Sequence, residues 1–102
     1  MGIRLRELVA AILIGGVSFA VHAGVEQGQV VAKACVSCHG AQGEGMGKTP
    51  PLAGLKAEII VEQLKAFQSG KRNNMMMNTI ARKLSEQDTA DVASYFASLS
   101  AK

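Results

Sequence analysis

The sequence predicts a small all-α domain, and three observations lead to that prediction. Apolar residues recur at helical spacing in several segments of the chain. Glycine, proline and asparagine clusters separate these segments, and no strand pattern precedes the longest cluster. Two cysteines are followed directly by a histidine in residues 35–39, a spacing that suits one turn of helix. We therefore expect helices joined by glycine-rich loops, without an internal repeat.

Residues 1–23 have the three parts of a secretory signal peptide. Two arginines make a short basic start, and residues 8–21 are apolar apart from glycines and one serine. Residues 21–23 place small or modest side chains before a cleavage site at Gly24. A transmembrane helix needs roughly 18 or more apolar residues, so cleavage is favoured over retention as an anchor. The sequence thus predicts a signal peptide and one periplasmic domain, residues 24–102, with no stable membrane insertion.

The composition of the mature part argues against nucleic-acid binding and predicts a small hydrophobic core. Its 79 residues contain nine Lys and Arg against seven Asp and Glu, scattered along the chain. The sequence therefore predicts no nucleic-acid-binding surface, because such a surface needs clustered basic residues. The whole chain has one Tyr, three Phe and no Trp. A domain this small with so few aromatic residues is expected to need a staple or a bound group.

The central motif is Cys-Val-Ser-Cys-His at residues 35–39, which contains the only two cysteines of the chain. This spacing is typical of covalent c-type haem attachment. On a turn of helix, Cys35 and Cys38 can each reach one vinyl group of a porphyrin. His39 then supplies the proximal imidazole ligand to the iron. The motif therefore predicts one covalently attached haem c, which would also consume both thiols in an oxidising compartment.

Two other interpretations of the cysteine pair are weaker. A thioredoxin-like dithiol or a short disulfide is possible by spacing, but the dithiol motif belongs in a βαβ setting, and no strand pattern precedes it here. A structural zinc site needs about four nitrogen or sulfur ligands, whereas this region supplies three. Haem attachment is the interpretation that uses both cysteines and the histidine of the motif.

The first predicted helix spans about residues 25–34, with Val30, Val31 and Ala34 on or near one face. Gly28 lies inside it, where a glycine costs helix stability. Such a glycine either marks close packing against another element or frays an exposed first turn.

Residues 40–54 form a predicted loop rich in glycine and proline. The glycine required for a phosphate-binding loop is missing, because Gln42 stands at that position. A flexible wrap around a bulky group is the better interpretation.

A second helix is predicted over residues 57–69, where Ile60, Leu64 and Phe67 recur at i, i+4 and i+7. Gly70 follows as its stop, and two asparagines then form a turn.

Three consecutive methionines, Met75, Met76 and Met77, begin a predicted short helix that runs to about Lys83. Methionine usually fills gaps in a core. In a chain with a haem motif, however, one of these thioethers is a candidate for the sixth iron ligand.

The last helix begins after Ser85, a predicted N-cap, with acidic residues in its first turn. Val92, Tyr95, Phe96 and Leu99 follow as a stripe that faces the core. Its two aromatic residues are candidates to cover the surface around Gly28.

In this order, the motifs resemble a small bacterial class I cytochrome c, and in particular one lobe of the two-haem, two-lobed periplasmic cytochromes c and their single-haem relatives. The resemblance covers roughly residues 28–98. It is carried by Cys-Val-Ser-Cys-His-Gly at 35–40, Pro-Pro-Leu-Ala-Gly at 50–54, Gln63-Leu64 with Phe67, Gly70 and Arg72, and Leu-Ser-Glu-Gln-Asp at 84–88 leading to Asp-Val-Ala-Ser-Tyr-Phe at 91–96.

The resemblance implies a class I cytochrome c fold, with helices wrapped around one covalently bound haem. It also implies a role for each candidate site residue. Cys35 and Cys38 form the thioether bonds, and His39 is the proximal ligand. The carbonyl of Pro50 accepts the other ring N–H of His39, and Arg72 lies near a haem propionate or its loop. The distal ligand is Met77, seven residues before Leu84, with Met76 as the second choice and Met75 as the third.

The function that follows from the resemblance is electron transport rather than catalysis. We expect a monomeric periplasmic carrier that cycles its haem iron between Fe(III) and Fe(II) in a respiratory or related chain. Redox partners would be a membrane quinol-oxidising complex and a terminal oxidase or periplasmic reductase. Two alternatives stay open: a haem subunit of a larger dehydrogenase complex, and a haem enzyme or gas-binding protein with an open distal site.

Overall fold

The computed structural model describes residues 24–101, so the predicted signal peptide lies outside the described residues. Residues 24–31 form helix α1, which tightens into a 3-10 turn at Ala32–Ala34 and is followed by α2 at Val36–His39. The longer helices are α3 at Ala57–Ser69, α4 at Met75–Arg82 and α5 at Glu86–Ser98. An isolated bridge between Met46 and Thr49 is the sole strand-like pairing within residues 24–101. The all-α prediction is confirmed.

Helix α3 is the central element, since it packs against both α4 and α5. Its predicted apolar face, Ile60, Leu64 and Phe67, is buried. Val92 and Phe96 of α5 are each 1% exposed and belong to the same core. Burying each of these side chains stabilises the fold by about 1.5–3 kcal/mol. The spacing of apolar residues therefore predicted the main helix–helix contact correctly.

The ends of the long helices are where the sequence placed them. Gly70 ends α3 in the left-handed region at φ 81°, which costs glycine little because it has no Cβ. Ser85 begins α5 with a capping box: its Oγ accepts from Asp88 N at 2.9 Å, and Asp88 Oδ2 accepts from Ser85 N at 3.1 Å. These contacts satisfy N–H groups that a helix start would leave unpaired.

Helix α1 crosses α5 at Gly28. A Cβ at this position would lie 2.0 Å from Asp91 O and 2.7 Å from Tyr95 Cβ. Close packing, rather than fraying, is therefore the reason for the glycine, and Tyr95 does cover the surface that Gly28 offers.

The predicted apolar face of α1 was wrong at two of its three positions. Val30 is 53% exposed and Ala34 is also exposed, whereas Val31 is half-buried and Ala32 is 1% exposed. The crossing at Gly28 decides which face is buried: residues three and four positions later lie on the same side of a helix. Ala34, at the end of the 3-10 turn, instead lines a cavity beside the core.

A polar side chain ties the three long helices together. Gln68 Nε2 of α3 donates to Ala81 O at 3.0 Å and to Thr89 Oγ1 at 3.2 Å. Thr89 is 1% exposed, so its hydroxyl needs partners inside the protein. In the described part of the chain, no helix is both long and apolar enough to cross a membrane.

Candidate functional site

A cavity of about 760 Å³ lies between α2, the 40–54 loop, α3 and α4. Its volume is within the roughly 300–1,000 Å³ of small-molecule and cofactor sites. Core side chains such as Leu64, Phe67 and Phe96 form its apolar wall. The cavity also brings together the site residues expected from the sequence: Cys35, Cys38, His39, Pro50, Arg72, Met76 and Met77.

Helix α2 places the two cysteines and the histidine on one turn. His39 N donates to Cys35 O at 2.9 Å, and Cys38 N donates to the same carbonyl at 3.2 Å. Gly40 ends the turn at φ 97°, a region that L-residues with a Cβ rarely adopt. The early stop keeps His39 at the cavity, where it is 7% exposed.

The imidazole of His39 is held in one orientation. Its Nδ1 lies 2.8 Å from Pro50 O, and because a carbonyl can only accept, the proton resides on Nδ1. The Pro50 hydrogen bond that the resemblance implied is present. It leaves Nε2 as the basic nitrogen, which is the arrangement of a histidine that serves as a metal ligand.

The 40–54 loop holds the acceptor for this hydrogen bond in place. Leu52 N and Ala53 N both donate to Gly43 O, and Met46 and Thr49 exchange backbone bonds. Gly43, at φ 68°, has no room for a Cβ, which would lie 2.8 Å from a ring carbon of Phe96. The loop is thus fastened to the core rather than left as a flexible wrap.

Both thiols are free and lie at the cavity. Cys35 is half-buried, and Cys38 is exposed. Burial raises the pKa of the Cys35 thiol above its ordinary value, and the neighbouring Cys38 raises it further. The raised pKa disfavours the thiolate form of Cys35.

The three methionines differ in their relation to the cavity. Met75 is 86% exposed and does not line it, while Met76 lines it at 62% exposure. Met77 lines the cavity, is half-buried and packs against the core. Of the three thioethers, that of Met77 is the best placed to reach a bound group.

The start of α4 is fixed by a buried residue that the sequence analysis missed. Asn78 Nδ2 donates to Phe67 O at 2.8 Å and to Arg72 O at 2.9 Å, and its Oδ1 accepts from Asn74 N at 2.9 Å. Asn74 is the N-cap of α4 and accepts from Met77 N at 3.0 Å. One signal was present in the sequence: asparagine is a poor residue for a helix interior unless its side chain has a specific partner.

Arg72 lies at the rim of the cavity in a fixed position. Its guanidinium is centred 4.6 Å from the ring centroid of Phe67 and donates to the Gln63 side chain. Lys48 is the other cation of the lining, and among the described residues no acidic side chain lines the cavity. The rim therefore offers positive charge to an anionic group.

The residues of this cavity fit a covalently bound haem. The cavity offers an apolar wall, two thiols and an oriented imidazole on one turn, a thioether from another helix, and cations at the rim. Within residues 24–101, no three or more His, Cys, Asp or Glu side chains are grouped so that they could hold a bare metal ion. The donor set therefore suits a porphyrin-bound iron rather than a zinc ion.

A family model described as cytochrome c matches residues 25–100. The chain belongs to the cytochrome c family. Cytochromes of this family carry a covalently bound haem c and are electron carriers rather than enzymes. This membership confirms the predicted family, cofactor and fold.

Three known proteins similar to this cytochrome c are matched over half or less of their own length. A cytochrome c-552 of Acidithiobacillus ferridurans is 38% identical over 76% of this chain and 38% of its own length. A thiosulfate dehydrogenase electron acceptor of Thiomonas intermedia is 33% identical over 95% of this chain and 46% of its own. A solved cytochrome c4 structure from Acidithiobacillus ferrooxidans has a TM-score of 0.71 and 36% identity over 76% of this chain and 50% of its own. The chain thus spans half or less of these proteins.

Proposed function

We propose that this cytochrome c is a periplasmic one-electron carrier of a respiratory or related chain. The observation that carries the proposal is the cavity to which α2 contributes His39 and α4 contributes Met77. When bound, haem c supplies a one-electron couple between Fe(III) and Fe(II). Periplasmic location is supported by the signal-peptide pattern at residues 1–23.

Each of these cavity residues has its own proposed role in binding the haem. Cys35 and Cys38 would hold it covalently, and His39 would ligate the iron through Nε2 while Pro50 O fixes the imidazole ring through Nδ1. Met77 would supply a thioether ligand to the same iron. A methionine and histidine pair raises the reduction potential. Arg72 and Lys48 would offer positive charge to the haem propionates.

Electron transfer to partner proteins requires a rim where the haem edge can approach them. Leu55, Ile59 and Met76 line the cavity yet are 40%, 43% and 62% exposed. These side chains form a small apolar rim, which suits the small and short-lived interfaces of electron-transfer encounters. We place a membrane quinol-oxidising complex on the donor side and a terminal oxidase or periplasmic reductase on the acceptor side.

A potentiometric titration of the exported protein tests the proposed function. The visible spectrum is recorded while a mediator-buffered potential is stepped in both directions. The expected result is one reversible transition that fits a one-electron Nernst curve. A transition that fits two electrons, or no reversible transition of a c-type spectrum, would contradict the carrier function.

A second candidate function is that of electron acceptor to one dehydrogenase. It is favoured by the Thiomonas intermedia relative, whose name states that it accepts electrons from thiosulfate dehydrogenase. Sedimentation of the purified protein with and without a candidate dehydrogenase separates the two functions. A stable complex supports the dedicated acceptor, and a monomer that exchanges electrons without co-sedimenting supports the mobile carrier.

A further inference from the structure

We infer that Asn78 is a positioning residue for Met77. Its side chain fastens the first turn of α4 to the end of α3, and this contact keeps the Met77 thioether at the cavity. The inference rests on the proposed function, because it presumes that Met77 ligates the haem iron. It adds a residue that does not line the cavity and that no sequence motif had indicated.

The hydrogen bonds of Asn78 join three parts of the chain. Two of them are donated by Nδ2, to Phe67 O at 2.8 Å and to Arg72 O at 2.9 Å. The third is accepted by Oδ1 from Asn74 N at 2.9 Å. At 9% exposure, the amide uses both of its donor hydrogens and one acceptor within the protein. Asn78 thus links the end of α3, the following turn and the N-cap of α4.

Met77 lies inside this network. Its own N–H donates to Asn74 Oδ1 at 3.0 Å, and Asn78 N donates to Asn74 O at 2.8 Å. Asn74 is therefore held at its N–H by Asn78 and in turn holds the N–H of Met77. If the Asn78 side chain is removed, the N-cap loses one of its anchors, and the first turn of α4 is free to move away from α3.

Loss of this side chain also removes partners from three backbone groups. Phe67 O would keep a donor, Gly70 N at 3.4 Å, but the partly buried Arg72 O would lose its Asn78 donor and Asn74 N its Asn78 acceptor. Polar groups without partners are costly, so entry of water at this point lowers the free energy of the variant. We expect the population in which Met77 has left the cavity to rise about tenfold, the effect of losing one or two net hydrogen bonds.

Gln68 provides a matched control. Its side-chain amide also donates two hydrogen bonds, to Ala81 O and Thr89 Oγ1, and it also ties α3 to its neighbours. These contacts lie one turn after Met77 in α4 and on α5, and neither involves the N-cap at Asn74. Gln68→Ala should therefore lower the melting temperature as Asn78→Ala does, without releasing the methionine.

The experiment titrates imidazole into the ferric, haem-loaded form of each exported variant. Imidazole competes with the methionine for iron, so its apparent affinity scales with the fraction of molecules in which Met77 is released. The wild-type chain, Asn78→Ala, Asn78→Asp and Gln68→Ala are compared, and each melting temperature is measured. Asn78→Asp keeps the acceptor oxygen and the side-chain size but loses the two Nδ2 donors. If Asn78→Ala does not accumulate, the imidazole affinity of Asn78→Asp tests the inference.

The expected result is an imidazole affinity about tenfold higher for Asn78→Ala and Asn78→Asp, and within about twofold of wild type for Gln68→Ala. Equal affinities for the Asn78 and Gln68 variants would overturn the inference and leave the carrier function standing. A wild-type protein that binds carbon monoxide in its ferrous form would instead contradict the proposed function itself. The two failures are therefore distinguishable.

Discussion

Met77 is the proposed distal ligand, and comparison with its neighbours in sequence shows why. Three methionines follow one another, but the N-cap at Asn74 sets the helix so that Met75 faces solvent and Met77 faces the cavity. Replacement of Met77 by alanine is expected to open the distal position. The reduction potential should fall by on the order of 0.1 V, a fraction of the roughly 0.8 V that axial ligands span.

Potentiometry and carbon monoxide binding to the ferrous protein measure this effect. Met75→Ala is the matched control, because it removes the same side chain from an exposed position of the same helix turn. The control should keep the wild-type reduction potential and should not bind carbon monoxide in its ferrous form. If Met77→Ala behaves like the control, Met76 is the ligand, since it also lines the cavity.

For single residues, the sequence predicted which side chains bind the haem better than it predicted their hydrogen-bond partners in the fold. The cysteine pair and His39 followed from spacing alone, because covalent haem attachment demands that spacing. The hydrogen bond from His39 to Pro50 O came only from family resemblance, since a contact across eleven residues depends on the course of the loop. The role of Asn78 was not predicted, because its three partners come from a helix end and a turn that no periodicity describes.

Helix α1 is attached to the domain where its glycine meets α5. Gly28→Ala would place a Cβ 2.0 Å from Asp91 O, a backbone atom inside a helix that cannot move aside cheaply. Overpacking of this kind costs about 1–3 kcal/mol, and we expect the upper end of that range.

Thermal unfolding of the haem-loaded protein measures this cost. Gln29→Ala, at an exposed position of the same helix, should leave the melting temperature unchanged or raise it slightly, because alanine is the better helix former. If the Gly28→Ala protein is as stable as the Gln29→Ala control, the close packing of α1 against α5 at Gly28 is contradicted.

The capping box of α5 makes a second prediction for a helix. Ser85→Ala removes the acceptor for Asp88 N and should cost about 1 kcal/mol. For a domain of this size, that loss lowers the melting temperature by about 4–8 °C. Ser94→Ala serves as the control in the same thermal scan, because Ser94 Oγ only bonds back to Ala90 O within the helix. Equal melting temperatures for the two variants would show that the cap contributes nothing.

The positions of the helices were predicted well from the sequence. The buried face of a helix was predicted correctly only where enough apolar residues recurred at helical spacing. The bounds and buried face of α3 match the prediction, since three apolar residues at i, i+4 and i+7 define one side. For α1, two adjacent valines gave no such definition. The buried side is set by the approach of Asp91 to Gly28, a tertiary contact that the helix itself does not encode.

The whole domain is organised around its cavity. Side chains from α3 and α5, including Leu64, Phe67 and Phe96, meet there, and the same side chains make up much of the core. Without the haem, this apolar surface would face water. The double variant Cys35→Ala with Cys38→Ala is expected to lack covalent haem and to lose most of its cooperative unfolding transition.

Calorimetry and circular dichroism of the purified double variant test this prediction. Ser37→Ala is the control, since Ser37 is one of the two residues between the cysteines, and haem attachment uses neither of them. The control should bind haem and unfold in one cooperative step. A cooperative transition of wild-type enthalpy in the double variant would show that the protein part folds on its own.

The most direct test of the account is the visible spectrum of the exported protein in its ferric and ferrous states, with carbon monoxide added to the ferrous state. We predict low-spin c-type spectra in both states and no change with carbon monoxide, because His39 and Met77 would both ligate the iron. A high-spin spectrum that shifts when carbon monoxide is added would contradict this account and would point to an open distal site.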